Sequence, residues 1–259
     1  MIRTALITGA SSGIGLELAK IHARNGDHLV ITARREERLR ELKQELEENF
    51  DTKVVVFPID LAKPSSPEKI FEFTEKHKIS IDYLVNNAGV GDYGFFRDSN
   101  WKRQQSIIDL NIKSLTHLTH LYLPSLLERK KAYIMNVASV AAFQPGPLMS
   151  VYYASKHYVL AFSEALDNEL SDTGVSVTTL CPGPTFSEFQ DHANMEKSKL
   201  FDRFPVATSK EVAEYGYKAM LKGKRVAVYG LMNKITASVV GIFPRNFVTA
   251  VARKIQERK

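Results

Sequence analysis

Apolar residues follow two alternating periods along this 259-residue chain. Short runs rich in β-branched residues indicate buried strands, and they fall at residues 3–8, 28–32, 53–58, 82–86, 132–138, 175–180 and 225–229. Stretches with a helical period lie between them, at residues 13–25, 36–50, 67–77, 101–128, 151–172 and 210–221. This alternation predicts an α/β fold with a seven-stranded, mostly parallel, doubly wound sheet and helices on both faces.

Two segments depart from this rhythm. Residues 183–206 are polar and irregular although they follow a strand. We expect a substrate lid there, mobile over residues 186–204, with a static surface excursion as the alternative. Residues 230–259 are basic and amphipathic, with apolar positions 247, 248, 251 and 255 on one helical stripe. We expect one domain, with a core of residues 1–229, whose extension packs on a partner subunit, an anionic membrane or its own core.

The composition narrows the class of protein. With 44% hydrophobic residues and a net charge of +6, the chain is typical of a soluble globular protein. The one cysteine, Cys181, allows no intrachain disulfide, which suits a reducing compartment. The start lacks the apolar stretch of a signal peptide, and no apolar run reaches the ~20 residues that span a bilayer. We therefore expect a cytoplasmic protein.

The sequence gives little support for a metal site or for nucleic-acid binding. His117 and His120 lie three residues apart on a helical segment, without a cysteine or carboxylate that would complete a metal set. We interpret them as surface or interface residues and expect no metal. No segment matches a nucleic-acid-binding motif, so we expect no nucleic-acid partner.

The first strand leads into a glycine-rich turn, Thr8-Gly9-Ala10-Ser11-Ser12-Gly13-Ile14-Gly15. Glycine at these positions allows a tight turn, brings the backbone close to a pyrophosphate and lets the helix pack near the sheet. The helix N-terminus that follows offers free N–H groups to phosphate. An ordinary Gly/Ser turn is the alternative. The strand–turn–helix context favours a dinucleotide site in a Rossmann-type domain.

A tyrosine and a lysine lie four residues apart in Tyr152-Tyr153-Ala154-Ser155-Lys156. The spacing places Tyr152 and Lys156 on one helix face, where an ammonium would lower the phenol pKa and permit acid–base catalysis. A surface pair is the alternative. Ser139 follows the fifth strand, at the sheet edge where α/β folds bind ligands, and can hydrogen-bond a substrate oxygen. Asn111 lies inside a predicted helical segment, where an asparagine is mildly unfavourable, so its presence there calls for a reason.

Taken together, these segments resemble the short-chain dehydrogenase/reductase family from residue 3 to about 229. Three more motifs carry the resemblance: Asp60-Leu61 after the third strand, Asn86-Asn87-Ala88-Gly89 after the fourth, and Pro182-Gly183 after the sixth. The resemblance implies a catalytic tetrad of Asn111, Ser139, Tyr152 and Lys156. It further implies that cofactor contacts come from Gly9, Ser11, Ser12, Gly13, Ile14, Gly15, Arg34, Asp60, Leu61, Asn87, Ala88, Gly89, Tyr152, Lys156, Pro182 and Gly183.

The end of the second strand predicts which dinucleotide is preferred. Ala33 stands where NAD-preferring sites place an acidic residue, and Arg34 follows it. A guanidinium can bind a 2′-phosphate, which a carboxylate would repel, so we expect NADP(H) over NAD(H). Surface pairing of Arg34 and Arg35 with Glu36 and Glu37 is the alternative. A second family marker of NADP preference, a basic residue before the middle glycine, is absent because Ser12 stands there.

We therefore expect an oxidoreductase that moves a hydride between NADP(H) and the carbonyl or alcohol of a small to medium-sized apolar substrate. The substrate candidates are 3-oxoacyl thioesters, steroid-like ketones, and small aldehydes or ketones. An apolar pocket is expected from Phe143, Leu148, Met149, Phe186, Phe189, Met195, Leu200, Phe201 and Phe204. The alternatives are a non-catalytic NADP(H)-binding sensor or scaffold on the same fold, and a membrane-surface protein. The resemblance implies that the segments at residues 101–128 and 151–172 pair across a two-fold axis, as in many family members, and their apolar content exceeds what one sheet face needs. We therefore expect a homodimer or homotetramer.

Overall fold

A computed structural model describes residues 2–186, 188–189, 193 and 206–257 of the chain. Seven strands form one sheet in the order β3-β2-β1-β4-β5-β6-β9, and every neighbouring pair is parallel. The strands are β1 Thr4–Thr8, β2 His28–Ala33, β3 Val54–Pro58, β4 Tyr83–Asn86, β5 Ala132–Val137, β6 Val175–Cys181 and β9 Val226–Val228. The sequence-based prediction of the fold class is confirmed.

Helices connect the strands and cover both faces of the sheet. They are α1 Gly13–Arg24, α2 Glu36–Asn49, α3 Ser66–Lys76, α4 Trp101–Ile108, α5 Leu115–Leu127, α6 Ser150–Glu169, α7 Ser209–Leu221, α8 Leu231–Val239 and α9 Arg245–Gln256. One core cluster packs α1, α2 and α7 on one face through Leu18, Leu39 and Val212. The other packs α3, α5 and α6 on the opposite face through Ile70, Leu118 and Leu166.

The strand order sets the position of the ligand crevice. Successive strands run outward from β1 to β3 in one direction, and the chain then crosses back to β4 on the other side of β1. The connections that leave the carboxyl ends of β1 and β4 therefore diverge to opposite faces of the sheet. This divergence opens a crevice at the edge where open α/β folds bind ligands.

Three local features were not predicted. The helical segment at residues 101–128 is interrupted by a π-helical turn, Asp109–Ser114, which contains Asn111. A short parallel ladder pairs β7 Thr185–Phe186 with β8 Ala207–Thr208 at the two ends of the expected lid. Most of the mobile stretch expected at residues 186–204 lies outside the described residues. The C-terminal extension forms α8 as well as the expected helix.

Within the described part of the chain, no helix is long and apolar enough to cross a membrane.

Candidate functional site

A cavity of about 720 Å³ opens at the carboxyl ends of the parallel strands. Nearly all the site residues expected from the sequence line it: Gly9, Ser11, Ser12, Gly13, Ile14, Arg34, Asp60, Leu61, Asn87, Ala88, Gly89, Ser139, Tyr152, Lys156, Pro182 and Gly183. The exceptions are Gly15 and Asn111. The fold thus gathers segments that are up to 174 residues apart, from Gly9 to Gly183, around one space.

The glycine-rich turn has the geometry that a pyrophosphate requires. Gly9 and Gly13 both adopt left-handed φ angles, +67° and +59°. A Cβ on Gly9 would lie 2.9 Å from the Ala88 Cα, and a Cβ on Gly15 would lie 2.4 Å from the Gly9 carbonyl oxygen. Ser12 precedes α1 without capping it through its side chain, so the first N–H groups of the helix remain available to an anion. These residues fit a dinucleotide.

Thr8 fixes the loop after β4 against this turn. Its Oγ1 accepts hydrogen bonds from the backbone N–H of Asn87 at 2.9 Å and of Ala88 at 3.0 Å, and donates one to the Val85 carbonyl at 3.3 Å. The Asn87 side chain donates in turn to the Thr8 carbonyl at 2.9 Å. Thr8 is not among the site residues expected from the sequence. Its position as the last strand residue before Gly9 was the available signal.

Ser139 and Tyr152 meet at the floor of the cavity. Ser139 follows β5, where its Oγ accepts a hydrogen bond from the Ala141 N–H at 3.1 Å and donates one to the Pro182 carbonyl at 3.4 Å. The Ser139 side chain also hydrogen-bonds Tyr152. Burial raises the pKa of Tyr152 to about 12, and its hydrogen bond with Ser139 opposes that rise. A phenol with this pKa carries its proton at neutral pH.

Lys156 lies beneath Tyr152 and is only 5% exposed. Its ammonium donates a hydrogen bond to the Val137 carbonyl at 2.8 Å and lies 5.8 Å from the centre of the Tyr152 ring. Burial lowers the pKa of Lys156 to about 8. The expected lowering of the Tyr152 pKa by this lysine is not met, because burial of the phenol raises its pKa and the opposing contact is the hydrogen bond with Ser139.

Asn111 supports the site from behind the cavity wall. Its Oδ1 accepts from the Val90 N–H at 3.0 Å, and its Nδ2 donates to the Val90 carbonyl at 2.9 Å and to the Ser155 Oγ at 3.0 Å. A Cβ on Gly89 would lie 3.4 Å from both the Asn111 Oδ1 and the Lys156 Nζ. Asn111 therefore holds the loop after β4 beside the lysine, and the π-helical turn provides the position from which it does so.

Tyr153, the neighbour of Tyr152, takes a different role. It is 7% exposed, and its hydroxyl accepts a hydrogen bond from the Gln256 Nε2 at 2.6 Å. The Tyr93 hydroxyl donates to the backbone carbonyl of Gln256. Tyr153 thus anchors the end of α9, whereas Tyr152 hydrogen-bonds Ser139. This geometry supports the choice of Tyr152 that the spacing to Lys156 suggested.

Two arginines follow β2 at the far end of the cavity. Arg34 is exposed and, among the described residues, makes no hydrogen bond or ion pair through its side chain. The Arg35 guanidinium donates to the Glu188 carboxylate at 2.6 Å and to the Ser11 Oγ at 3.1 Å. Glu36 pairs instead with Arg40. The surface pairing of both arginines with Glu36 and Glu37 does not form, and Arg35 joins Arg34 as a candidate phosphate contact.

The remaining wall of the cavity is apolar. Of the expected pocket residues, Phe143, Met149 and Phe189 line it, and the Phe189 ring lies 5.4 Å from that of Tyr152. Leu148 and Phe186 do not line the cavity, while Met195, Leu200, Phe201 and Phe204 lie outside the described residues. The C-terminal extension supplies a large share that the sequence analysis missed: Ile235, Val239, Val240, Phe243, Phe247, Val248, Val251, Ala252, Ile255 and Gln256. The apolar stripe at positions 247, 248, 251 and 255 was the signal in the sequence for this part of the wall.

Fold and site together define an oxidoreductase of the dinucleotide-binding α/β class, and comparison with known proteins agrees. A sequence model of the short chain dehydrogenases matches residues 3–198. The chain therefore belongs to the short chain dehydrogenase family. The uncharacterized oxidoreductase DltE of Bacillus subtilis is 34% identical over 86% of each chain. An uncharacterized oxidoreductase of Staphylococcus saprophyticus is 30% identical over 92% of this chain and 97% of its own.

Solved structures show the same likeness. A short-chain dehydrogenase from Sphingobium yanoikuyae, in complex with NADPH, has a TM-score of 0.81 and 29% identity, covering 93% of this chain and 95% of its own. The bulky-bulky ketone specific alcohol dehydrogenase from Comamonas testosteroni has a TM-score of 0.78 and 29% identity, covering 93% of both chains.

Proposed function

We propose that this protein is an NADP(H)-dependent oxidoreductase that interconverts a carbonyl and an alcohol on a bulky, apolar substrate. One observation carries the proposal. Ser139, Tyr152 and Lys156 line the same cavity as a group of apolar side chains, among them Phe189, whose ring lies 5.4 Å from that of Tyr152. Such an arrangement holds a polar reacting group at one point and an apolar body beyond it.

The reaction needs a proton donor for the substrate oxygen, and Tyr152 supplies it. The hydroxyl groups of Ser139 and Tyr152 hydrogen-bond the carbonyl oxygen, and the Tyr152 Oη gives it a proton during reduction. With a pKa of about 12, Tyr152 is protonated at neutral pH, which is the form that can donate a proton to a carbonyl oxygen. Proton donation leaves Tyr152 as a phenolate, and the positive charge of the buried Lys156 ammonium offsets the negative charge of that phenolate. When bound, the nicotinamide dinucleotide supplies or accepts the hydride.

The cofactor would lie along the predicted contacts. The turn from Gly9 to Gly15 would hold the pyrophosphate, Asp60 and Leu61 the adenine, and Pro182 and Gly183 the nicotinamide amide. Arg34 would bind the 2′-phosphate, since it is exposed at the cavity edge and its side chain has no partner among the described residues. The NADPH bound to the relative from Sphingobium yanoikuyae supports this choice.

The apolar wall favours a bulky ketone over the other substrate candidates. Phe189, Phe243 and Phe247 line the cavity together with Tyr152, and aromatic side chains provide large apolar contact areas. The Comamonas testosteroni relative is described as specific for bulky-bulky ketones, which agrees with a substrate that is large on both sides of the carbonyl.

The test is NADPH oxidation with a panel of carbonyl compounds: bulky aryl and alicyclic ketones, short ketones, aldehydes and 3-oxoacyl thioesters. We expect the highest kcat/KM with the bulky ketones. Tyr152→Phe should lower kcat by about a hundredfold or more while NADPH still binds. Tyr153→Phe is the matched control and should keep its kcat. Wild-type turnover in Tyr152→Phe would contradict the mechanism. NADPH binding without turnover of any compound would favour the sensor or scaffold.

A further inference from the structure

Large apolar side chains remain exposed along the C-terminal extension. Ile242 is 79% exposed, and seven others there are more than a third exposed. We call these eight residues the C-terminal apolar face: Leu231, Met232, Ile235, Val239, Ile242, Phe243, Phe247 and Val251. Single exposed apolar residues are common on protein surfaces, but a concentration in one short segment indicates an interaction site.

This exposure does not arise from a loosely attached segment. Helix α9 is docked on the core through Val248, Ala252 and Gln256, which follow one another at four-residue spacing and are buried. The hydrogen bond from Gln256 to Tyr153 fixes its end. Phe247 and Val251 lie on a neighbouring stripe that stays outside. The helix therefore uses one apolar stripe for docking and presents the next one outward.

Part of the C-terminal apolar face borders the cavity. Five of its residues, Ile235, Val239, Phe243, Phe247 and Val251, also line the cavity. The Phe243 and Phe247 rings pack together, with centroids 5.7 Å apart. A side chain that is exposed to the outside and also faces the cavity lies at an entrance. An apolar substrate would therefore reach Tyr152 across this face.

The charge of the segment identifies the chemistry of its partner. Residues 231–257 carry four basic side chains, Lys234, Arg245, Arg253 and Lys254, against one acidic side chain, Glu257. A second copy of the chain would bring the same positive charge to the interface, and the two copies would repel each other there. Apolar side chains bordered by lysine and arginine are complementary to a bilayer that contains anionic lipid.

We propose that the C-terminal apolar face docks on an anionic lipid surface, with the cavity mouth turned toward the bilayer. The apolar side chains enter the boundary between headgroups and acyl chains, and the basic side chains contact the headgroups. Docking rests on the exposed face alone. Delivery of lipid-dissolved substrate to the cavity rests in addition on the proposed function, so lipid binding is measured separately from turnover.

The experiment is co-sedimentation of the purified full chain with vesicles. Wild type should bind vesicles of equal parts phosphatidylcholine and phosphatidylglycerol, and should bind less to pure phosphatidylcholine and at high salt. The double variant Met232→Glu, Ile242→Glu should bind about tenfold less. These two residues lie outside the cavity, so turnover of a water-soluble ketone should be unchanged. Ile2→Glu, at a comparably exposed apolar residue that precedes β1 at the amino ends of the strands, is the matched control.

A second pair of substitutions keeps the test independent of the apolar residues. Lys234→Gln with Arg245→Gln should weaken binding to the anionic vesicles and leave binding to pure phosphatidylcholine unchanged. The proposal is overturned if wild type does not sediment with anionic vesicles, or if the glutamate variant binds as wild type does. It is also overturned if light scattering shows that the glutamate variant splits an oligomer, since a second copy would then occupy the face.

Discussion

At the scale of single residues, burial decides the acid–base properties of the site. The same desolvation raises the pKa of Tyr152 and lowers that of Lys156, because each group loses water around its charged form. Both groups are thereby held in the neutral form more strongly than in water. The protein tolerates a buried ammonium at this position, and its effect on stability can be measured.

Lys156→Met should abolish turnover yet increase the free energy of unfolding near neutral pH. The pKa of Lys156 falls from 10.5 to about 8 on folding, so the unfolded chain binds more protons between these values. The free energy of unfolding of the wild type therefore rises as pH increases through this window, and this gain is lost as pH falls back through it. The advantage of the methionine variant should shrink by up to about 3 kcal/mol as pH rises through the window. Denaturant unfolding at several pH values measures this, and a constant difference would contradict it.

Arg34 should determine the preference for NADP(H). Since its guanidinium has no partner among the described residues, it can bind a 2′-phosphate without first breaking a contact. Arg34→Ala should lower kcat/KM for NADPH by about ten- to a hundredfold and change that for NADH little. Arg35→Ala is the comparison and should cost less, because Arg35 already bonds Glu188.

Steady-state kinetics with NADPH and NADH shows whether Arg34 or Arg35 binds the 2′-phosphate. Wild type that favours NADH would overturn the preference. An unchanged NADPH/NADH ratio in Arg34→Ala, with a changed one in Arg35→Ala, would assign the phosphate contact to Arg35.

At the scale of elements, helix α9 closes the substrate side of the cavity although it lies outside the family match at residues 3–198. Its buried end is held by two tyrosines, through the side chain and the backbone carbonyl of Gln256. The hydrogen bonds at Gln256 therefore add to the apolar packing of Val248 and Ala252 in holding α9 against the core.

Gln256→Ala should loosen this wall. Loss of the buried hydrogen bond leaves the Tyr153 hydroxyl without its donor, and such a loss costs about 1–3 kcal/mol. We expect the KM for a bulky ketone to rise about three- to tenfold, with NADPH affinity unchanged. Lys254→Ala, on the exposed side of the same helix, should leave the KM as in wild type. Equal KM values in wild type and Gln256→Ala would show that α9 stays in place without this contact.

At the scale of the whole molecule, the homo-oligomer expected from the sequence stays a prediction, and exposed apolar residues on α4, α5 and α6 are where we expect the subunits to meet. Trp101 is 62% exposed, Leu127 43% and Tyr158 38%, and the Tyr158 ring stacks on Phe162. These residues belong to the two long helical segments whose apolar content predicted pairing. The cytoplasmic location and the lack of a nucleic-acid partner stay predictions.

Light scattering at micromolar concentration should give the mass of a dimer or tetramer. Tyr158→Glu should reduce that mass, because it places a charge within an interface of the kind that two-fold symmetry repeats. Met232→Glu with Ile242→Glu should not change it. A monomeric mass for wild type would refute the prediction.

The sequence by itself determined the seven strands of the main sheet, the class of that sheet, and which segments meet at the carboxyl ends of its strands. Alternating periods fix which segments bury as strands and as helices, and carboxyl ends of parallel strands meet at one edge. For that reason the residues following β1, β4, β5 and β6 line one cavity, as Gly9, Asn87, Ser139 and Pro182 do. Such signals are local in the chain and need only the parallel arrangement to become a site.

Only the tertiary structure decided which contacts those segments make with one another. Three hydrogen bonds join residues that are far apart in the chain. Asn111 bonds Val90, 21 positions away; Thr8 bonds Asn87, 79 positions away; and Gln256 bonds Tyr153, 103 positions away. Burial, which is likewise a property of the packed chain, reversed the expected direction of the Tyr152 pKa shift. Periodicity shows that a helix has an apolar stripe, but the surface that receives this stripe is determined by the packing of the whole chain.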